Sequence, residues 1–226
     1  MKAAPKYVAV IGDLVASRAM EPDERARVQK TFEQALARVN LDHEEDIAAT
    51  FLVTAGDETQ GLLKRVDRCY DVLREIEVAI SPARIVFGVG YGGLTTEVKE
   101  VAIGMDGPAF HFAREALEKA KMERKAYGKS IQREVRFRSE NDGADKLINA
   151  LFLSLSVMKS HWTAKQAEIL CLLERGGTQS EISDSQNIPI SNISRAIDAA
   201  HFREYQSVVA SLREYLASGL SVLPNK

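Results

Sequence analysis

Two cysteines, four histidines and no long apolar run are the chain's clearest shortages, and each narrows what it can be. Cys69 and Cys171 lie far apart without a C-x-x-C spacing, which reads as two buried thiols rather than a disulfide or a zinc site. His43, His111, His161 and His201 stand at no metal-ligand spacing, and no chemistry is assigned to them. No apolar stretch reaches the length needed to cross a bilayer, which excludes a membrane span. Met1 to Ala9 carries two lysines ahead of a short apolar run that ends at Asp13, too short a core for a signal peptide, so a cytoplasmic protein is expected. Nor is there a phosphate-binding loop or a dinucleotide fingerprint. Gly88, Gly90, Gly92 and Gly93 lie within and just after a strand-like run with no helix opening on them, and they read as places where a backbone or a ligand comes close to the sheet.

What is present is the composition of a folded chain. At 226 residues, 45% hydrophobic and 27% charged with a net charge of −2, it has room for one good core and a smaller second domain.

Two acids then stand out. Tyr7-Val8-Ala9-Val10-Ile11 is a near-continuous apolar run of the kind found in a central strand, and Gly12-Asp13 stops it at its carboxyl end. Thr50 to Thr54 is rich in β-branched and aromatic residues, Gly56-Asp57 is a turn signal, and Glu58 to Leu63 returns, which predicts a β-hairpin. Carboxylates held at a strand end and a hairpin tip suit Mg²⁺, a hard cation that takes oxygen ligands and keeps phosphates as co-ligands. An aspartate after glycine is equally an ordinary turn residue that needs no ligand.

The remaining pattern predicts strand 6–12, helix 22–39, helix 67–80, strand 84–91, helix 107–125, a strand near 135–137 and a helix 144–158. A βαββαβ order makes a ferredoxin-like sheet the economical fold. Gly104-Met105-Asp106-Gly107-Pro108 reads as a loop entering a helix with proline near its first position, with Asp106 either a turn residue or a third acid. Along that helix Arg114, Lys121 and Lys125 share one face beside an apolar stripe of Phe110, Ala113, Leu117 and Ala120. Interleaved glutamates make a solvated face the competing reading.

Ile11 to Arg18, Gly56 to Leu63 and Gly104 to Phe110 stand in an order that resembles the SatD family across nearly the whole chain. Residues 1–140 also resemble, more remotely, the palm-type domain of GGDEF diguanylate cyclases and class III nucleotide cyclases. That resemblance implies that Asp13 and Asp57 hold Mg²⁺ and that Glu58 is a catalytic base or second-metal ligand. It also implies that Ser17, Arg18, Arg114, Lys121 and Lys125 contact the phosphates of a nucleotide ligand. Thr59 stands where the GGDEF signature has phenylalanine, Ala55 where it has its first glycine, and Phe110 where class III cyclases have an asparagine.

From Thr163 the sequence changes character. Thr163-Ala164-Lys165-Gln166 and Thr178-Gln179-Ser180-Glu181 are capping boxes that each open a helix, and Gly176-Gly177 stops the first. A helix from Gln179 to Ser185, a turn through Asn187 and Pro189, and a helix from Ser191 to Ile197 resemble a helix-turn-helix, with Asn187 where that family usually has glycine. Ser191, Asn192, Ser194 and Arg195 would then face DNA. Residues 146–226 hold eight Lys/Arg against seven Asp/Glu, a net of +1, which predicts modest affinity unless a homodimer doubles it. The apolar stripe of Tyr205, Val208, Val209, Leu212, Tyr215 and Leu216 is either a dimer face or is packed within the chain against Trp162 and Ile169.

The expected architecture is α+β: a ferredoxin-like, palm-type domain at 1–140, a linker helix at 141–161 and a small all-α helix-turn-helix domain at 162–226. Three functions fit it: a DNA-binding regulator with a Mg²⁺-dependent nucleotide or phosphate-ligand site, a nucleotidyl cyclase or transferase with an accessory helix-turn-helix, and a degenerate palm used as a scaffold.

Overall fold

The computed structural model describes residues 5–127, 134–218 and 220, and its elements follow the sequence pattern closely. Strand β1 (Tyr7–Leu14) is followed by α1 (Pro22–Asp42), the hairpin β2 (Ile47–Ala55) and β3 (Glu58–Leu63), α2 (Cys69–Ala79), β4 (Ile85–Gly92), α3 (Pro108–Tyr127) and β5 (Val135–Arg138). The strands form one sheet in the order β2-β3-β1-β4-β5. The first four pair antiparallel, as the split βαβ arrangement requires, and β5 adds a fifth strand parallel to β4. The sheet is therefore mixed, because α3 carries the chain back across one face before β5 begins. β2 starts three residues earlier than its sequence signal, since Ile47 and Ala49 are already buried.

β1 is central and apolar on both sides. Val8, Val10 and Leu14 join the core under α1 and α2, while Ala9 and Ile11 join the core under α3. α3 lies directly on β4, where a Cβ at Gly88 or Gly90 would overlap the backbone of Ala109, Ala113 or Leu117. The glycines thus admit a helix backbone, and that contact fixes the height of α3 over the sheet.

Five helices complete the chain: α4 (Asp142–Ser160), α5 (Ala164–Glu174), α6 (Gln179–Gln186), α7 (Ile190–Ala199) and α8 (Phe202–Ala217). The side chain of Asn141 caps α4, and Ala144, Ile148, Phe152 and Leu155 bury its inner face. Both capping boxes form, with Thr163 and Gln166 closing the start of α5 and Thr178 and Glu181 that of α6. The stripe on α8 is used within the chain. Tyr205, Val209, Leu212 and Leu216 are buried in the same core as Tyr70 and Leu73 of α2, and the rings of Tyr205 and Trp162 meet edge-on at 4.9 Å. Those residues are not free to pair two copies. Cys69 is buried and Cys171 half-buried, both as free thiols. Among the described residues no helix is long and apolar enough to cross a membrane.

Candidate functional site

The period of two along β1 that sends Ala9 and Ile11 toward α3 also turns Asp13 to that side, at the carboxyl end of the strand. β3 lies beside β1 with Glu58 directly opposite Asp13. The β2–β3 connection is the two-residue loop Gly56-Asp57, in which Gly56 supplies the positive φ of 63°. Leu14 N donates to Asp57 O at 3.0 Å, and Ser17 Oγ donates to Asp57 Oδ2. Ser17 is itself buried, in a single 3-10 turn, Ser17–Ala19, that the chain enters through Ala16 in the left-handed conformation. Three carboxylates from two distant parts of the sequence, Asp13 and the adjacent Asp57 and Glu58, therefore share one end of the sheet.

The cations come from α3. Arg114 grips Glu58 through both terminal nitrogens, with Nη2 to Oε1 at 2.7 Å. Two turns on, Lys121 Nζ stands 2.9 Å from Asp13 Oδ1. Lys125 follows on the same face and is exposed. Burial pushes the Asp13 carboxyl above its usual range, Lys121 pulls against that shift, and the charges of Asp57 and Glu58 add to it. The Arg114 guanidinium is held more firmly protonated by its bond to Glu58. Asp13 and Asp57 are the pair that the sequence reading assigns to a divalent cation. Among the described residues there is no cluster of three or more metal-ligating side chains, so such an ion would need oxygen ligands from elsewhere.

The fold thus brings together Asp13, Ser17, Asp57, Glu58, Arg114 and Lys121, which the cyclase resemblance implies for one site. The backbone of Arg18 lies in the 3-10 turn, and its side chain lies outside the described part of the structure. Asp106 belongs to the opposite end of the sheet. Its backbone accepts from Thr95 N at 2.9 Å and its exposed carboxylate meets His111, so it is a turn residue. Two basic residues escaped the sequence reading. Val15 N donates to Arg84 O at 2.8 Å, which ties Arg84 to the end of β1, and Arg124 lies close enough to Arg84 for their charges to repel. The only early signal was the position of Arg124 three residues after Lys121.

The C-terminal helices hold a second candidate surface. α6 ends on Asn187 in left-handed geometry (φ 51°, ψ 48°), and α7 packs back through Ile193 and Ile197 against Ile182. Ser191, Asn192 and Arg195 are exposed on α7, with Arg195 laid along its own helix against Ser191 O and Asn192 Oδ1. Ser194 turns inward and donates to Gln179 Oε1 at 2.9 Å, joining α7 to α6. A cleft of about 630 Å³ opens on the α2 side of the sheet between α1, α2, α5 and α8. Its charges largely satisfy each other, Arg74 with Glu174 and His43 with Glu75.

Compared with known proteins, residues 7–208 match the model of the SatD family. The chain is similar in structure to the guanylyl cyclase Cya2, at 16% identity and a TM-score of 0.36 over 56% of this chain and 80% of that one. It is also similar to a bacterial light-regulated adenylyl cyclase, at 12% identity and a TM-score of 0.38 over 70% and 81% of the two chains. No curated protein matches it.

Proposed function

We propose that this chain, which belongs to the SatD family, is a DNA-binding regulator whose sheet-end site takes a nucleotide or related phosphate ligand together with Mg²⁺. One observation carries the reading: three carboxylates and two cations from three segments, β1, the β2–β3 hairpin and α3, meet at the end of β1, each held by a defined partner. A site built of both charges suits a ligand that is itself both, a metal ion bound to phosphate. Asp13 and Asp57 would hold Mg²⁺ and supply two of its oxygen ligands. Lys121 and Lys125 would take phosphate oxygens, and Lys121 would leave Asp13 to do so. Bound metal would supply charge neutralisation for the phosphates.

The bond between Arg114 and Glu58 favours binding over catalysis, because a carboxylate gripped by both terminal nitrogens of a guanidinium is a poor general base. The nucleotidyl cyclase or transferase reading needs Glu58, or a water held by the metal, free to accept a proton. In the regulator reading, α7 presents Ser191, Asn192 and Arg195 to DNA, and ligand occupancy alters affinity to the extent that it binds two arrangements of the molecule differently.

The test is calorimetric titration of ATP and of GTP, each with Mg²⁺, into wild type and Asp13→Ala/Asp57→Ala, with the mixtures checked for new nucleotide products. Metal-dependent binding that the double variant loses, without product, supports the regulator. Product formation turns the reading to the enzyme, and an absence of binding in wild type defeats both.

A further inference from the structure

Past the acidic site the line of cations continues on the buried side of α3. Ala113, Leu117 and Ala120 face the sheet, and Arg124, one turn beyond Ala120, prolongs that inner line past the start of β4. Its Nη1 is buried, and among the described residues nothing accepts a hydrogen bond from it. Nearby, Arg84 Nη2 donates to Glu134 Oε1 at 3.2 Å, and Arg84 O holds Val15 of the site's own loop. Two guanidiniums close enough for their charges to repel thus lie near the loop of the acidic site, and the carboxylate of Glu134 bonds the Arg84 guanidinium. That acid is shared: Lys159 Nζ lies 3.2 Å from its other oxygen.

A buried donor without an acceptor is rare in folded proteins and marks either strain or a place for an acceptor that arrives with a ligand. Burial and the charge of Arg84 make Arg124 easier to deprotonate than usual, against the opposing pull of Glu134. The guanidinium fork is also the side chain best shaped to grip a phosphoryl group.

We infer that Arg124, with Arg84 beside it, forms an oxyanion subsite that binds a phosphoryl group of the ligand in competition with Glu134. The inference deepens the reading of the sheet-end site as a phosphate site and rests on it. Lys121 precedes Arg124 by three residues, so adjacent phosphoryl groups could occupy the lysine and arginine positions in one ligand. The ligand class is accordingly a diphosphate or longer, and not a monophosphate.

Pyrophosphate and orthophosphate, each without metal, are titrated into wild type, Arg124→Gln, Arg124→Lys and Lys165→Gln. Wild type should bind pyrophosphate at least tenfold more tightly than orthophosphate. Arg124→Gln should lose at least tenfold in pyrophosphate affinity, Arg124→Lys should fall between, and Lys165→Gln, an exposed cation on α5, should keep the wild-type value. Because the free protein carries an unsatisfied donor at this position, Arg124→Gln should also melt no lower than wild type without ligand, whereas a structural arginine would cost stability when removed. Unchanged pyrophosphate binding in Arg124→Gln, a lowered melting temperature for it, or no binding by wild type at millimolar pyrophosphate would overturn the subsite. The metal site is judged separately, by the Mg²⁺-nucleotide titration of Asp13→Ala/Asp57→Ala.

Discussion

Lys121 reaches across from α3 to Asp13 at 2.9 Å, and this pair closes a site in which Asp13 also faces Glu58 across two paired strands. Burial and the neighbouring carboxylates push the Asp13 carboxyl up more strongly than Lys121 pulls it down. The folded chain therefore binds this proton more tightly than the unfolded chain, and stability falls as pH rises from about the ordinary value of 3.8 through the folded value.

Asp13→Asn should remove that fall. The variant is expected to gain stability relative to wild type as pH rises through this window, since its exchange with a partly exposed lysine contributes little. Metal-dependent ligand binding should drop at least tenfold in the same protein. Urea unfolding at a series of pH values, paired with the nucleotide titration, checks both. An Asp13→Asn protein less stable than wild type at every pH would make the pair a structural anchor and not a binding site.

Gly88 and Gly90 should tolerate no side chain. Alanine at either position forces α3 away from β4, which should cost about 1–3 kcal/mol or more and displace Arg114 and Lys121 from the acids. Gly93 has open space around its Cβ position, so Gly93→Ala should stay within about 0.5 kcal/mol of wild type. Equal denaturation midpoints for Gly88→Ala and Gly93→Ala would contradict the close packing.

These same elements show what a sequence discloses and what it withholds. Asp13 and Asp57 were legible because strand ends and hairpin tips are local features, written in the residues that flank them. Asn187 was legible for the same reason, as a residue able to take left-handed geometry after a short helix. The partner of the α8 stripe was legible in part: the sequence left a second copy or Trp162 and Ile169 as its cover, and the path of the chain decides for the latter and adds α2. Glu77, Glu134 and Lys159 look like ordinary surface charges in sequence and are half-buried because Lys159 of α4 reaches Glu77 of α2 and Glu134 ahead of β5. Arg124 is the sharpest case, since its inward turn depends on where α3 crosses β4.

Arg195 should carry measurable DNA affinity. It is exposed and, among the described residues, bonded only within its own helix, so swinging toward a phosphate or a base edge breaks no described contact between helices. Arg195→Ala is expected to cost about 1–3 kcal/mol in binding to a duplex target and to flatten the salt dependence. Ser194→Ala removes a bond to Gln179 instead, which should lower stability by about 0.5–1.5 kcal/mol and leave the affinity of the folded protein nearly unchanged. Fluorescence anisotropy with duplex DNA at several salt concentrations separates the two. Affinity insensitive to Arg195 would remove α7 from the contact surface.

The buried charges under α4 should dominate the response to acid. Lys159 Nζ lies 2.6 Å from Glu77 Oε1, and Arg74 Nη1 approaches the other oxygen at 2.9 Å. Burial opposes the charge on Glu77, yet Lys159 and Arg74 hold its pKa down to about 2 from an ordinary 4.5. Its contribution is therefore complete above about pH 4.5 and lost as the pH falls toward 2. Glu134 runs the other way, raised by burial and by the charge of Glu77. Glu77→Gln should flatten the acid limb of stability between those limits. Lys159→Met, which leaves Glu77 buried and short of a partner, should cost about 3–5 kcal/mol, and adding Glu77→Leu should recover much of that loss. Guanidinium unfolding of the single and double variants at pH 2.5 and pH 6 measures each step. Additive losses in the double variant would mean that the two residues act independently, against the contact that joins them.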